Sequence, residues 1–261
     1  MSRMFLFFVF AFVIFVTFPA IVSMADLAED LVAHWAFEGD ATDSSGNGND
    51  GTILGNPAWV DGPKGFGQAL SFDGVDDHIT LGTGPAMNGP TDFTLALWVK
   101  SDSGGEHTFI QQRMAGATGY VGQYILSMGT AHNSPLAPGQ VYFMVYNGDF
   151  QWEIKSSKTI NDGDWHFVAG VRSGETGTLY IDGEPDGTET TPIRDLNNTI
   201  EVAIGRDIRD GGQYHKGVLD EIVIYERALF LNELKQLSEK GPRAAVEPAA
   251  KLVTVWGALK Q

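Results

Sequence analysis

Cysteine is absent from all 261 residues, so neither a disulfide nor a thiolate metal site can form. A chain of this kind is held by its apolar core, with a hard, oxygen-bound cation as a further staple. Basic residues are scarce: 17 Lys and Arg face 33 Asp and Glu, a net charge of −16. That sign repels phosphate backbones and excludes nucleic acid as a partner, while it suits solubility and divalent cations. Familiar catalytic signatures are missing too. There is no Gly-x-Ser-x-Gly elbow, no phosphate-binding loop and no His-Glu-x-x-His helix.

What is present begins with a leader. Arg3 precedes a run from Met4 to Val22 that is nearly all apolar, and Ser23-Met24-Ala25 places small residues at −3 and −1 before Asp26. The pattern predicts a signal peptide over 1–25, cleaved after Ala25, and a secreted, periplasmic or cell-surface protein. Because the run is long enough to span a bilayer, an uncleaved anchor is the alternative, and membrane contact arises only in that case. Export without cysteine leans towards a bacterial source.

The mature chain is rich in strands and turns. Glycine is abundant, at 32 residues, and 43% of residues are apolar, enough for a sizeable core. Alternating stretches recur at short intervals: Leu31–Phe37, Ala69–Phe72, His78–Leu81, Phe93–Val99, Thr108–Gln111, Tyr124–Ser127, Val141–Tyr146, Gln151–Ile154, Trp165–Val171, Thr178–Ile181 and Ile200–Gly205. Gly, Asn and Asp turns separate them, and Asp182-Gly183 is a hairpin signal. The spacing predicts an all-β sandwich or barrel. Trp98 and Trp165 are expected in its core. Between Gly39 and Gly51 the composition predicts an ordered polar loop. The segment 217–229 closes the domain: Leu219, Ile222, Ile224 and Leu229 are one apolar set, Val223 and Tyr225 another, and Asp220 with Glu221 makes an acidic corner that can meet a cation. Leu231, Leu234 and Leu237 predict one helix over 231–239, with Asn232 as a cap and Gly241-Pro242 as its stop. Residues 241–261 read as a linker and an apolar-basic tail outside the core, leaving one domain over 26–240.

Eight stretches in order carry a resemblance. They are Trp35-Ala-Phe-Glu-Gly39, Asp43-Ser-Ser-Gly-Asn-Gly-Asn-Asp-Gly-Thr52, Gly67-Gln-Ala-Leu-Ser-Phe-Asp-Gly74, Phe93–Val99, Asp164-Trp-His-Phe-Val-Ala169, Leu179-Tyr-Ile-Asp-Gly183, Ile204-Gly-Arg206 and Gly217–Leu229. Together they resemble the laminin G-like domains of the concanavalin A-like lectin and glucanase superfamily. The resemblance implies an all-β, two-sheet antiparallel jelly-roll sandwich with one short C-terminal helix. It also implies a structural calcium site that joins the first strand to the closing strand. By motif that site takes Glu38, Asp43 and Asp220; Asp40 is added by proximity. An alternative for Asp43 is a turn cap acting through Ser45.

Enzymes of the glucanase branch carry a Glu-x-Asp-x-x-Glu strand. Glu221-Ile-Val-Ile-Tyr-Glu226 is the nearest run, and it lacks the central Asp. His166 has no paired nucleophile in its motif. The sequence therefore points to a non-catalytic module whose partner is a glycan or a surface protein, and it fixes no oligomeric state. Loops 111–125 and 146–153 offer Arg113, Tyr120, Tyr124 and Trp152 as sugar-contacting residues, with Gln111 and Gln112 beside them; ordinary sandwich packing is the alternative for the aromatics.

Overall fold

The computed structural model describes residues 27–85, 92–113, 123–129, 136–147, 150–192, 196, 200–208 and 213–242. The leader, Tyr120 and the tail from 243 onward lie outside them. Among the described residues fifteen strands and one helix occur in chain order. They are β1 (Leu31–Trp35), β2 (Thr52–Leu54), β3 (Ala58–Asp61), β4 (Gln68–Asp73), β5 (His78–Thr80), β6 (Phe93–Lys100), β7 (His107–Gln112), β8 (Gln123–Met128), β9 (Gln140–Asn147), β10 (Phe150–Thr159), β11 (Trp165–Ser173), β12 (Thr176–Ile181), β13 (Glu184–Thr190), β14 (Val202–Ile204), β15 (Lys216–Tyr225) and α1 (Leu231–Lys240).

The strands form two antiparallel sheets. One runs β13-β12-β11-β6-β15-β4-β3, with β1 also paired to β15; the other runs β10-β9-β8-β7-β14-β5-β2. Alternation builds the core between them. Leu95, Leu97 and Val99 of β6 face Phe109 and Ile110 of β7, Leu126 of β8 and Phe143 of β9, all fully buried. This is a jelly-roll sandwich, as the motif order implies.

A second layer covers the outside of the β6/β11/β15 sheet. Leu234 and Leu237 of α1 pack with Leu27, Phe167, Val223 and Tyr225. The Tyr225 hydroxyl donates to Leu27 O at 2.9 Å, which ties the start of the described chain to its closing strand. Leu229 belongs to this outer layer rather than to the Ile222/Ile224 set. Trp98 is only partly buried against this layer, and Trp165 is in neither layer, because alternation with Leu97 and Val99 on β6 and with Val168 on β11 turns both to the outer face. The cap of α1 is also not Asn232. Glu233 Oε2 accepts the Phe230 N–H at 2.7 Å, and Arg227 pairs with that carboxylate at 2.8 Å.

Two local features set acidic side chains outside the core. Asp182-Gly183 joins β12 to β13 with positive φ at both residues (54° and 74°), the tight turn expected of this dipeptide. In β15, Asp220 lies opposite Trp98 of β6 and Val223 opposite Ala96, so two residues of β15 oppose Leu97 alone. Glu221 is that extra residue, with φ 49°. The bulge reverses the in–out parity, which is why Leu219, Ile222 and Ile224 all face the core although 219 and 222 are three apart.

Candidate functional site

Alternation with the core-facing Leu219 turns Asp220, the last residue in register before the bulge, into an acidic cradle outside the sheet. Asp220 is fully buried, and its Oδ2 has no hydrogen-bond partner among the described residues. Oδ1 accepts only the Glu221 N–H, at 2.9 Å. Facing it is the turn Gly62-Pro-Lys-Gly-Phe-Gly67, closed by Gly62 N–H to Gly67 O at 3.0 Å. A methyl group on Gly62 would lie 2.8 Å from Asp220 Oδ2, 3.0 Å from Phe66 O and 3.2 Å from Gly67 O, so three oxygens converge where only glycine fits. A methyl on Gly67 would collide with the Glu38 carboxylate, which accepts the Gln68 N–H at 3.2 Å. Burial, the Glu221 charge and the Glu38 charge push the Asp220 carboxyl up to about 8. An acid this costly to ionise is an expected feature of a site that binds a cation.

Of the four acids read from the sequence, the structure brings Glu38 and Asp220 together and puts the other two to different uses. Asp43 is buried and braces the Gly39–Gly51 loop: Oδ1 accepts His34 N–H (3.0 Å) and Ser45 N–H (2.9 Å), and Oδ2 accepts Asn49 N–H (3.0 Å) and Asn49 Nδ2 (3.2 Å). Burial raises its carboxyl, but the bonds from Ser45, His34 and Asn49 outweigh this and hold it below the ordinary range. Asp40 is exposed and turns back to the Thr42 N–H at 2.9 Å. Phe66 O, Gly67 O and the two glycines were missed, because backbone carbonyls carry no mark in a sequence; the Gly62-x-x-Gly65-x-Gly67 spacing was the available signal. A tighter acidic group, Asp73, Asp76 and Asp77, sits at the β4–β5 turn. Asp77 spends both oxygens on the Asn56 and Asp73 amides, and Asp73 caps Val75.

On the opposite side, the outer face of the seven-stranded sheet carries polar groups that are enclosed without partners. Gln111 of β7 is fully buried and neither amide atom is hydrogen-bonded; Gln123 Nε2 and Ser127 Oγ of β8 are likewise unpartnered among the described residues. Ile125, Tyr142 and Met144 lie among them, with Leu136 and Tyr146, partly exposed, at the margin. Such unmet donors and acceptors are rare in folded proteins and each calls for a partner.

The sugar-contacting residues read from the sequence divide differently. Arg113 is buried and paired with Asp207 at 3.0 Å. Tyr124 is a core residue, its ring 6.0 Å from that of Phe93, and burial raises its phenol; it offers no face to a ligand, because its position on β8 points inward. Tyr120 and the Trp152 side chain lie outside what is described.

His166 sits in neither site. Nδ1 donates to Asp182 at 2.9 Å and Nε2 to Asp162 at 3.1 Å, an arrangement that holds the imidazolium. The Asp182 bond, opposed by burial and reinforced by Asp162, raises its pKa to about 9, so at neutral pH it is a fixed cation and not a base. Its stabilisation is complete below about 6.5 and is lost as pH rises through about 9. In Asp182→Asn, an NMR titration of His166 is expected to show the pKa falling towards the ordinary value; an unmoved titration would contradict the clamp.

Comparison with known proteins identifies the family and the fold. Residues 73–235, well over half of the chain, match the laminin G family model of the concanavalin A-like lectin/glucanases superfamily. The chain belongs to this family. No curated protein sequence matches it. Among solved structures it is similar to domain 4 of AbnA, a GH43 extracellular arabinanase from Geobacillus stearothermophilus, in complex with arabinotriose (23% identity, TM-score 0.63, 80% of this chain and 98% of that one). It is similar to the binding domain of Paraclostridial Mosquitocidal Protein 1 (19%, 0.63, 81% and 52%). A third is the binding domain of Botulinum neurotoxin DC in complex with SialylT (13%, 0.60, 84% and 53%). The chain spans about half the length of the two toxin domains. At these identities the likeness concerns the fold.

Proposed function

We propose that this laminin G-like domain is an exported, non-catalytic glycan-binding module whose loops are organised by calcium. The observation that carries the glycan reading is Gln111, a carboxamide with donor and acceptor both desolvated and both unfilled. Vicinal hydroxyls supply that pairing, and Leu136 and Tyr146, partly exposed over the buried Ile125, Tyr142 and Met144, supply apolar surface for the C–H face of a sugar ring. The complexes of similar domains with arabinotriose and SialylT support the class of ligand. The calcium reading rests on Asp220. Glu38, Asp220, Phe66 O and Gly67 O are the hard oxygen donors that calcium takes, and the cation supplies the charge that lets Asp220 ionise inside the cradle.

A glycan array probed with the mature domain, followed by calorimetry on the hits, tests the reading. Binding is expected for at least one oligosaccharide and is expected to weaken at least tenfold in Gln111→Ala, about 1.4 kcal/mol. No turnover of arabinan or β-glucan is expected in the same samples. Hydrolysis that disappears on substitution of one carboxylate would overturn the non-catalytic reading, and an array without hits would overturn the glycan reading.

A further inference from the structure

The flank of the seven-stranded sheet formed by β2, β5 and β14 holds an arginine that is positioned but not neutralised. The His78 Nδ1 lies 2.7 Å from Asp76 O, so it must carry the proton. Its Nε2 is then an acceptor, and Arg206 Nη1 donates to it at 3.0 Å. The guanidinium is therefore held by a neutral ring. Among the described residues no carboxylate comes within ion-pair distance of Arg206, and its Nε–H is enclosed with no partner.

In a chain of net charge −16 this is unexpected, since the β4–β5 turn next to His78 carries Asp73, Asp76 and Asp77 and none of them is an ion-pair partner of Arg206 among the described residues. Asp77 is committed to backbone amides on both oxygens and Asp73 to the amides of its own turn. Two apolar groups stand beside the His78 ring that holds the guanidinium. The Tyr214 ring lies 5.7 Å from the His78 ring, and Leu54, directly opposite His78 in the β2–β5 register, is 41% exposed. Arg206 and Tyr214 are themselves partly exposed.

We propose that Arg206, Tyr214 and Leu54 form a subsite for a sugar that bears an oxyanion, a carboxylate or a sulfate. The free Nε edge of a guanidinium presents two parallel donors, the spacing that these groups accept. Tyr214 and Leu54 take the C–H face of the ring. The oxyanion part stands on Arg206 alone; the sugar part rests on the glycan-binding reading.

The test uses the full chain, with glucuronate, glucose 6-sulfate, glucose and inorganic sulfate as probes, read by calorimetry and by the Arg206 Nε–H resonance. One of the two charged sugars is expected to bind roughly tenfold tighter than glucose, the contribution of one charge-assisted hydrogen bond. Which of them binds tighter distinguishes the carboxylate from the sulfate source. That binding is expected to weaken with added salt and to shift the Nε–H resonance, and Arg206→Gln is expected to reduce it to the level of glucose. Because the resonance is read in the unmodified protein, the test does not depend on that variant folding. Charged sugars that bind no tighter than glucose, or that leave the resonance unmoved, overturn the subsite while glucose binding keeps the glycan reading intact. Inorganic sulfate that shifts the resonance while no sugar binds supports the oxyanion site and overturns the glycan reading.

Discussion

Calcium in excess over chelator is expected to raise the melting temperature of the domain, and Asp220→Ala is expected to abolish the gain. A ligand that binds only the folded state stabilises by RT ln(1 + [L]/Kd), so calcium at about one hundred times its dissociation constant adds roughly 2.7 kcal/mol. For a domain of this size that corresponds to about 5–10 °C. The pH dependence is a second signature. With chelator present, the folded state holds a proton on Asp220 up to about pH 8, whereas the unfolded chain releases it near the ordinary aspartate value. The folded state therefore binds more protons between those limits, and stability is expected to fall as pH rises from about 4 to about 8. Calcium should flatten that decline, because the ionised carboxylate then has a counter-charge. Gly62→Ala is expected to behave like Asp220→Ala, since its methyl group would enter the space between Asp220 Oδ2, Phe66 O and Gly67 O. Identical melting curves in calcium and chelator at every pH would remove the site.

Asp43→Ala is expected to be at least as damaging but indifferent to calcium. Its carboxylate accepts three backbone N–H groups and the Asn49 amide, and the residue is buried. Removing it leaves those donors unmet at about 1–3 kcal/mol each before relaxation, so a loss of roughly 3–5 kcal/mol is expected. Asp43→Asn should recover part of this, because one of its oxygens remains an acceptor. Urea denaturation with and without calcium separates a loop brace from a metal ligand: equal losses support the brace, and a loss confined to the calcium-loaded protein would make Asp43 a ligand.

The contrast between Asp43 and Asp220 shows where sequence reading reaches its limit. Both are acids in motifs of one family, and the pattern placed both at the same metal. Their roles diverge through backbone geometry. A loop that folds back over Asp43 supplies amide donors, whereas Asp220, on the outer face of β15, meets the carbonyls of the Gly62–Gly67 turn. The bulge itself was visible in part, since Leu219 and Ile222 are three apart where an unbroken strand would keep them two or four apart.

Most core strands were legible for the same physical reason that they fold: burial on one face enforces alternation. The strands that went unread are β2, β3 and β13, and each ends a sheet. Glu184-Pro-Asp-Gly-Thr-Glu-Thr190 of β13 has no apolar residue to alternate, and its Pro185 and Gly187 suit an edge. The aromatic residues misled in the opposite direction. Tyr124 looked like a ligand platform and is core, while Trp165 looked like core and stays partly exposed, because parity within a strand is fixed by neighbours on the facing sheet. Gln111 stood next to the residues singled out, yet only the structure shows that nothing satisfies it.

The central claim is that ligand is received on the outer face of the seven-stranded sheet. Methyl-labelled protein titrated with arabinotriose, and with any oligosaccharide selected on the array, tests it most directly. The account predicts that the Ile125 and Met144 methyl resonances shift with saturation, that Val223 and Leu234 on the opposite side stay still, and that Gln111→Ala abolishes the shifts. Saturable shifts confined to Val223 and Leu234, or no shift of Ile125 and Met144 at saturation, would contradict it.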